Sequence, residues 1–167
     1  MNPTNVGLLN GKYTVESIPD SIKDSNGEWS VYSRNFLNEI DRKLIKDTLV
    51  FDTISEYSFR LEMKNSKSIQ IEYLKDNAVF RSRTLKAKIT KDGYLKLKNK
   101  NLQLLLLPYV LGGIDVKRVR LTIHEDGNLI FDVSEHRSGA ALLMVFLDGR
   151  NFQHTDTFRR ISDTTKL

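Results

Sequence analysis

Cysteine is absent from the 167-residue chain, which removes disulfides, thiolate zinc sites and thiol nucleophiles together. No apolar run approaches the roughly 18 residues that a spanning helix needs. No charged n-region followed by an apolar h-region opens the sequence, so either a cytosolic protein or a removed targeting segment is expected. Enzyme motifs are missing as well: there is no G-x-S-x-G elbow, Walker loop, G-x-G-x-x-G or H-E-x-x-H. No catalytic residue and no cofactor are therefore expected. The stretch DSNGEW (24–29) begins like a calcium loop but lacks the third ligand and the closing Glu, and reads as a turn. No linker or internal repeat divides the chain, so one domain is expected, preceded by a flexible leader over 1–7 and followed by a tail over 162–167.

What the sequence does contain is period-two alternation. Tyr57, Phe59, Leu61 and Met63 share one face, and Ile69, Ile71 and Tyr73 share one face of the next strand. Opposed residues on one face must sum to an even number, so the loop between them is odd in length, and Asn65-Ser66-Lys67 fits. Two further hairpins follow the same rule. Leu85, Ala87 and Ile89 against Leu95 and Leu97 leave Lys91-Asp92-Gly93 as a loop, and Val119, Leu121 and Ile123 against Leu129, Phe131 and Val133 leave Glu125-Asp126-Gly127. Each places Gly third, where a three-residue hairpin loop calls for a left-handed residue.

GAALLMVFL (139–147) reads as a continuous strand, and NFQHTDTFRRI (151–161) as the last strand after a DGR turn. A helix is expected over 31–46, where Leu37, Ile40 and Leu44 fall on one face. Sequential strands with short turns predict an all-β fold: an up-and-down antiparallel β-barrel of about eight strands with a short N-terminal helix, occupying 8–161. A two-sheet sandwich is the alternative.

LLNGKY (8–13) and FRRI (158–161) carry a family resemblance. Gly11-Lys12-Tyr13 stands where lipocalins have Gly-x-Trp, and Arg159 or Arg160 where they have an arginine covering that ring. The chain resembles small bacterial lipocalin-like (calycin-type) cell-envelope lipoproteins, with Tyr in place of Trp. That resemblance implies a periplasm-facing or outer-membrane location through a lipidated cysteine upstream, and ligand binding in a barrel. Without it, a cytoplasmic location is expected.

Three histidines are present, and in the registers above His124 and His136 stand about 26 Å apart along the sheet, too far to share a metal. His154 reads as a surface residue, and no metal site is expected. Glu62 and Glu72 take the outward parity and read as solvated groups.

The formal net charge is +5, which favours anionic partners. The basic stretch 81–100 offers chiefly Tyr94 on its outward face, where Lys86, Lys88, Lys96 and Lys98 lie, so nucleic acid is not expected. Arg81 and Arg83 differ, because they share the inward parity of Leu85, Ala87 and Ile89. If 93–107 is one long strand, they oppose Gln103 and Asn101; a β-bulge near Ser82 would instead turn them out to water. Lys117, Glu135 and Arg137 lie at the same end. The segment LQLLLLPYVLGG (102–113) reads as a strand ending in a loop or a lipid-contacting lid.

The expected function is non-enzymatic binding of a hydrophobic or amphipathic anion by a monomer, through Arg81, Arg83, Lys117 and Arg137 at the mouth. Phe59, Leu61, Ile69 and Ile71 would line the interior. The alternative is an envelope interaction or inhibitor domain with a packed barrel and functional surface loops.

Overall fold

The computed structural model describes residues 7–23, 26–40, 52–98, 102–107, 111–141 and 145–162. Its strands are β1 (Gly11–Thr14), β2 (Asp20–Lys23), β3 (Trp29–Tyr32), β4 (Tyr57–Asn65), β5 (Ser68–Lys75), β6 (Ala78–Ile89), β7 (Leu95–Leu97), β8 (Leu102–Leu107), β9 (Leu111–Ile123), β10 (Leu129–Ala141), β11 (Val145–Phe158) and β12 (Arg160–Ile161). One short α-helix, α1 (Phe36–Ile40), is seen among the described residues. Antiparallel pairing joins the strands in the order β11-β10-β9-β7-β6-β5-β4-β1-β12, with β8 attached to β9, while β2 and β3 form a separate hairpin. The two ends of that order are consecutive in sequence with only Arg159 between them. The Arg159 carbonyl accepts the Thr14 amide at 2.9 Å.

Turn chemistry explains the meander. Gly93 and Gly127 have φ of 84° and 86°, the left-handed conformation expected at the third loop position. Amides of Thr90 and His124 donate to the carbonyls of Tyr94 and Asn128 at 2.8 and 2.9 Å, closing both three-residue loops. Asp76 and Asn77, with φ of 50° and 66°, make the two-residue turn between β5 and β6, a position where Asn and Asp tolerate positive φ better than most residues. The registers Leu121↔Phe131, Val133↔Val119 and Ala87↔Leu97 match the sequence expectation.

Four sequence expectations are corrected. Asn65 pairs with Ser68, so the β4–β5 turn is shorter than expected, and an irregularity between Met63 and Asn65 restores the parity of Met63 against Ile69. Residues 139–147 are not one strand: Ala141 pairs with Val145, and the DGR sequence lies inside β11 opposite a bulge between Arg137 and Gly139. A continuous apolar run carries no periodicity that marks where it folds back. Residues 93–107 are likewise not one strand, because β7 ends at Leu97 and β8 pairs with β9, with Leu107 opposite Leu111. Gln103 therefore faces Asp115 rather than Arg81, and Asn101 lies outside the described residues. Finally, Val31 and Tyr32 belong to β3, so the helix is confined to Phe36–Ile40; Leu44 lies outside the described residues.

The core forms where α1 packs on the inward face of the sheet. Asn35 caps the helix, its side-chain oxygen accepting the Leu37 amide at 3.0 Å. Phe36, Leu37 and Ile40 are all buried. Phe36 stacks on Phe59 with centroids 3.7 Å apart, and Phe131 and Phe158 meet it edge-on at 5.4 and 5.3 Å. Tyr13 adds to this cluster, stacking on Phe59 at 5.5 Å and donating its hydroxyl to the Leu9 carbonyl at 3.0 Å. Arg160 covers the Tyr13 ring at 5.8 Å, and its guanidinium donates to the carbonyls of Leu8 and Asn10 at 3.1 and 2.5 Å.

Candidate functional site

Arg81 and Arg83 stand opposite Tyr73 and Ile71 in the β5–β6 ladder. Opposed residues share a face, so both arginines lie on the face that buries Ile69, Ile71, Tyr73, Leu85 and Ala87. A bulge is present in β6, but it falls at Phe80, before Arg81, and so leaves their inward parity intact. Both side chains are half-buried. Val79 and Phe80 beside them are 49% and 40% exposed, forming an apolar lip.

Ile89 and Leu121 both pair with Leu95, which makes β6 and β9 parallel. The start of β6 and the start of β9 are therefore at one end of the sheet. Across β9, β10 and β11 that end carries the row Lys117, Glu135 and Phe152, followed by the row Asp115, Arg137 and Arg150. Arg137 is exposed, reaching Glu135 at 3.3 Å and the Phe152 ring at 5.8 Å. Of the expected mouth residues, the structure thus brings Arg81, Arg83, Lys117 and Arg137 to one end. Phe59, Leu61, Ile69 and Ile71 are fully buried in the packed core.

Lys117 does not stand free at the rim. Its side chain is 5% exposed and its ammonium meets the Glu39 carboxylate from α1 at 2.5 Å. Glu39 also approaches His154 Nε2 at 3.6 Å, and His154 approaches Asp156 at 3.4 Å. Arg34 completes the chain with a 3.0 Å contact to Asp156. Burial opposes ionisation of Glu39, but His154 and Lys117 outweigh it and hold its carboxyl at about 2. Burial dominates at Asp156 and raises its carboxyl despite Arg34. His154 and Asp156 each keep one buried atom, Nε2 and Oδ2, with no hydrogen bond within the described residues.

The reading of His154 as a surface residue is therefore corrected: it pairs with Val133 on the core face. The signal was available in the sequence, since Phe152, His154, Asp156 and Phe158 share the parity of a strand whose last member is apolar. Glu39 and Arg34 gave no such signal, because their roles depend on where α1 docks. The outward acids behave as expected, with Arg60 and Glu72 paired at 3.0 Å. Among the described residues, no group of His, Asp and Glu is arranged to hold a metal ion.

No family model, no curated protein and no solved structure matches this chain.

Proposed function

We propose that the protein is a non-enzymatic binder of an amphipathic anion, such as a fatty acid or similar lipid-like molecule, at the mouth of a closed lipocalin-like barrel. Closure is supported by the adjacency of β11 and β12 in sequence, by the Thr14–Arg159 hydrogen bond, and by Arg160 lying over Tyr13. A location in the cell envelope, with a lipid anchor upstream, belongs to the same proposal and rests on the lipocalin-like resemblance.

The observation that carries the binding reading is the placement of Arg81 and Arg83 on the core face, opposite Tyr73 and Ile71. A guanidinium partly shielded from water attracts a carboxylate or phosphate more strongly than one on an open strand. Among the described residues, 78–85 pair only with β5, because β7 stops at Leu97 and β8 has crossed to β9. The apolar tail then lies against exposed Val79 and Phe80 beside the two arginines, and Phe59, Leu61, Ile69 and Ile71, which are fully buried, support the sheet from within rather than line a deep cavity.

The test is titration of a fluorescent fatty-acid probe into wild type and an Arg81→Ala, Arg83→Ala double variant. Binding should weaken about tenfold, or about 1.4 kcal/mol, and more for the acid than for its neutral ester. Equal affinity for both proteins would overturn the assignment of these arginines. A second reading, an interaction or inhibitor domain, is favoured by the filled aromatic core around Phe36. Native mass spectrometry separates the two: a lipid-sized adduct supports binding, whereas a clean mass with no fatty-acid uptake supports interaction.

A further inference from the structure

Lys88 on β6 stands directly opposite Lys96 on β7, and Lys96 directly opposite Arg120 on β9. Two residues along the strands, Lys86 and Lys98 repeat the pairing, with the Lys98 amide donating to the Lys86 carbonyl at 2.7 Å, and Arg118 precedes Arg120 on the same face of β9. This face is the outward one, because the alternate residues Leu85, Ala87, Leu95, Leu97, Val119 and Leu121 are buried. Neighbouring strands lie about 4.8 Å apart and alternate residues about 7 Å apart, so the cations share a patch about 10 Å wide.

Like charges directly opposite one another destabilise a sheet. Elsewhere the charges are matched: Arg60 meets Glu72 at 3.0 Å and Lys64 meets Glu62 at 2.8 Å. In the patch, both nearby carboxylates attend one residue, Asp92 and Asp132 lying 3.9 and 3.2 Å from Arg120. The Arg120 guanidinium also covers the Tyr94 ring at 4.7 Å. Among the described residues, Lys86, Lys88, Lys96, Lys98 and Arg118 have no ion-pair partner.

An open groove of about 610 Å³ lies beside these cations. Lys96, Arg118 and Arg120 line it together with Ser134, Gln153 and Thr155. Cross-strand register builds it in two rows, Arg118 to Ser134 to Gln153 and Arg120 to Asp132 to Thr155. The second row is internally satisfied, since Asp132 holds Arg120 and accepts the Thr155 hydroxyl at 2.7 Å. The first is not: the side chains of Ser134 and Gln153 hydrogen-bond to no other described residue.

We propose that this outward face binds a linear acidic polysaccharide, its carboxylate or sulfate groups on Lys88, Lys96 and Arg118 and its hydroxyls on Ser134 and Gln153. Uncompensated cations call for an anion, and the neutral hydroxyl and amide beside them suit a ligand that carries hydroxyl groups next to each charge. Single-stranded nucleic acid stacks its bases on aromatic faces, and the Tyr94 ring is already covered by Arg120. None of the exposed large hydrophobic side chains lines the groove, so a bilayer finds no apolar anchor there. The inference is independent of the small-molecule reading, because Arg81 and Arg83 take the opposite face of the sheet.

The test is calorimetric titration of the full chain with polygalacturonate and heparin oligosaccharides, with neutral dextran and duplex DNA alongside, at about 0.15 M salt, where exposed charges are screened beyond about 8 Å. Wild type should bind an acidic glycan and not dextran. Lys88→Gln, Lys96→Gln and Arg118→Gln together should weaken binding at least about tenfold, and Ser134→Ala with Gln153→Ala, which keeps every cation, roughly threefold. The Arg81→Ala, Arg83→Ala variant should bind the glycan as wild type does. Urea midpoints should not fall in Lys88→Gln with Lys96→Gln, because the substitution relieves repulsion. No glycan binding, unchanged affinity in either groove variant, a loss in the Arg81 and Arg83 variant, or a fallen urea midpoint would each overturn the proposal. Duplex DNA binding more tightly than both glycans would overturn it in favour of nucleic acid.

Discussion

Glu39→Gln removes the counter-charge of an ammonium whose side chain is 5% exposed. Burial alone would raise the Glu39 carboxyl, yet His154 and Lys117 bring it from 4.5 down to about 2. Because the folded value lies below the unfolded one, the stabilisation is fully present above about pH 4.5 and is lost as pH falls towards 2. A depression of that size corresponds to about 3 kcal/mol at neutral pH. The structural argument agrees, since removing one partner of a buried ion pair typically costs about 3–5 kcal/mol. Asp156 runs the other way: its raised carboxyl makes a contribution that declines as pH rises through the folded value.

Urea unfolding of wild type and variant as a function of pH isolates Glu39 as the difference between two curves. Glu39→Gln should be less stable by about 3 kcal/mol at neutral pH, and the gap should narrow below about pH 4.5 and nearly close by pH 2. Adding Lys117→Met should restore part of the loss, because the stranded ammonium is then gone. A gap near zero at neutral pH, or one that does not change with pH, would refute the claim that this pair is stabilising and buried.

Two further perturbations test the frame of the sheet. Gly93→Ala and Gly127→Ala should each lower unfolding stability by about 1 kcal/mol, because a Cβ is disfavoured at their φ of 84° and 86°; unchanged denaturation midpoints would contradict the three-residue loops. Gly11→Ala places a Cβ 2.8 Å from Arg160 Nη2, displacing the guanidinium from Tyr13 and from two carbonyls, with an expected loss of about 1–2 kcal/mol. Combined with Arg160→Gln the effects should not add, and full additivity in urea melts would show that Gly11 acts elsewhere.

Strands β4, β5, β6, β9 and β10 were legible because their inward faces alternate, and parity then fixes register and, except at the β4–β5 turn where an irregularity after Met63 shortens it, loop length. Parity also placed Arg81 and Arg83 correctly on the core face. It failed where alternation stops: Leu104–Leu107 and 139–147 are apolar at every position, so neither the fold-back at Ala141–Val145 nor the one at Leu107–Leu111 leaves a mark. The Lys117–Glu39–His154–Asp156–Arg34 chain was only half visible. His154 and Asp156 share the parity of Phe158, but Glu39 reaches them from a helix five residues long. Its docking depends on Phe36 stacking on Phe59, a tertiary contact that local pattern does not encode.

The lengths of the strands explain why one end of the molecule is polar inside. β9, β10 and β11 have 13, 13 and 14 residues, against 9 in β4 and 8 in β5. Thirteen residues extend about 43 Å, roughly twice a typical strand. The core occupies only one stretch of that length, from Leu129 to Val133 on β10 and from Val119 to Ile123 on β9. Beyond it the inward face turns polar at Lys117 and Glu135, and the α1 carboxylate of Glu39, which also approaches His154 at the level of Val133, neutralises what would otherwise be a buried cation.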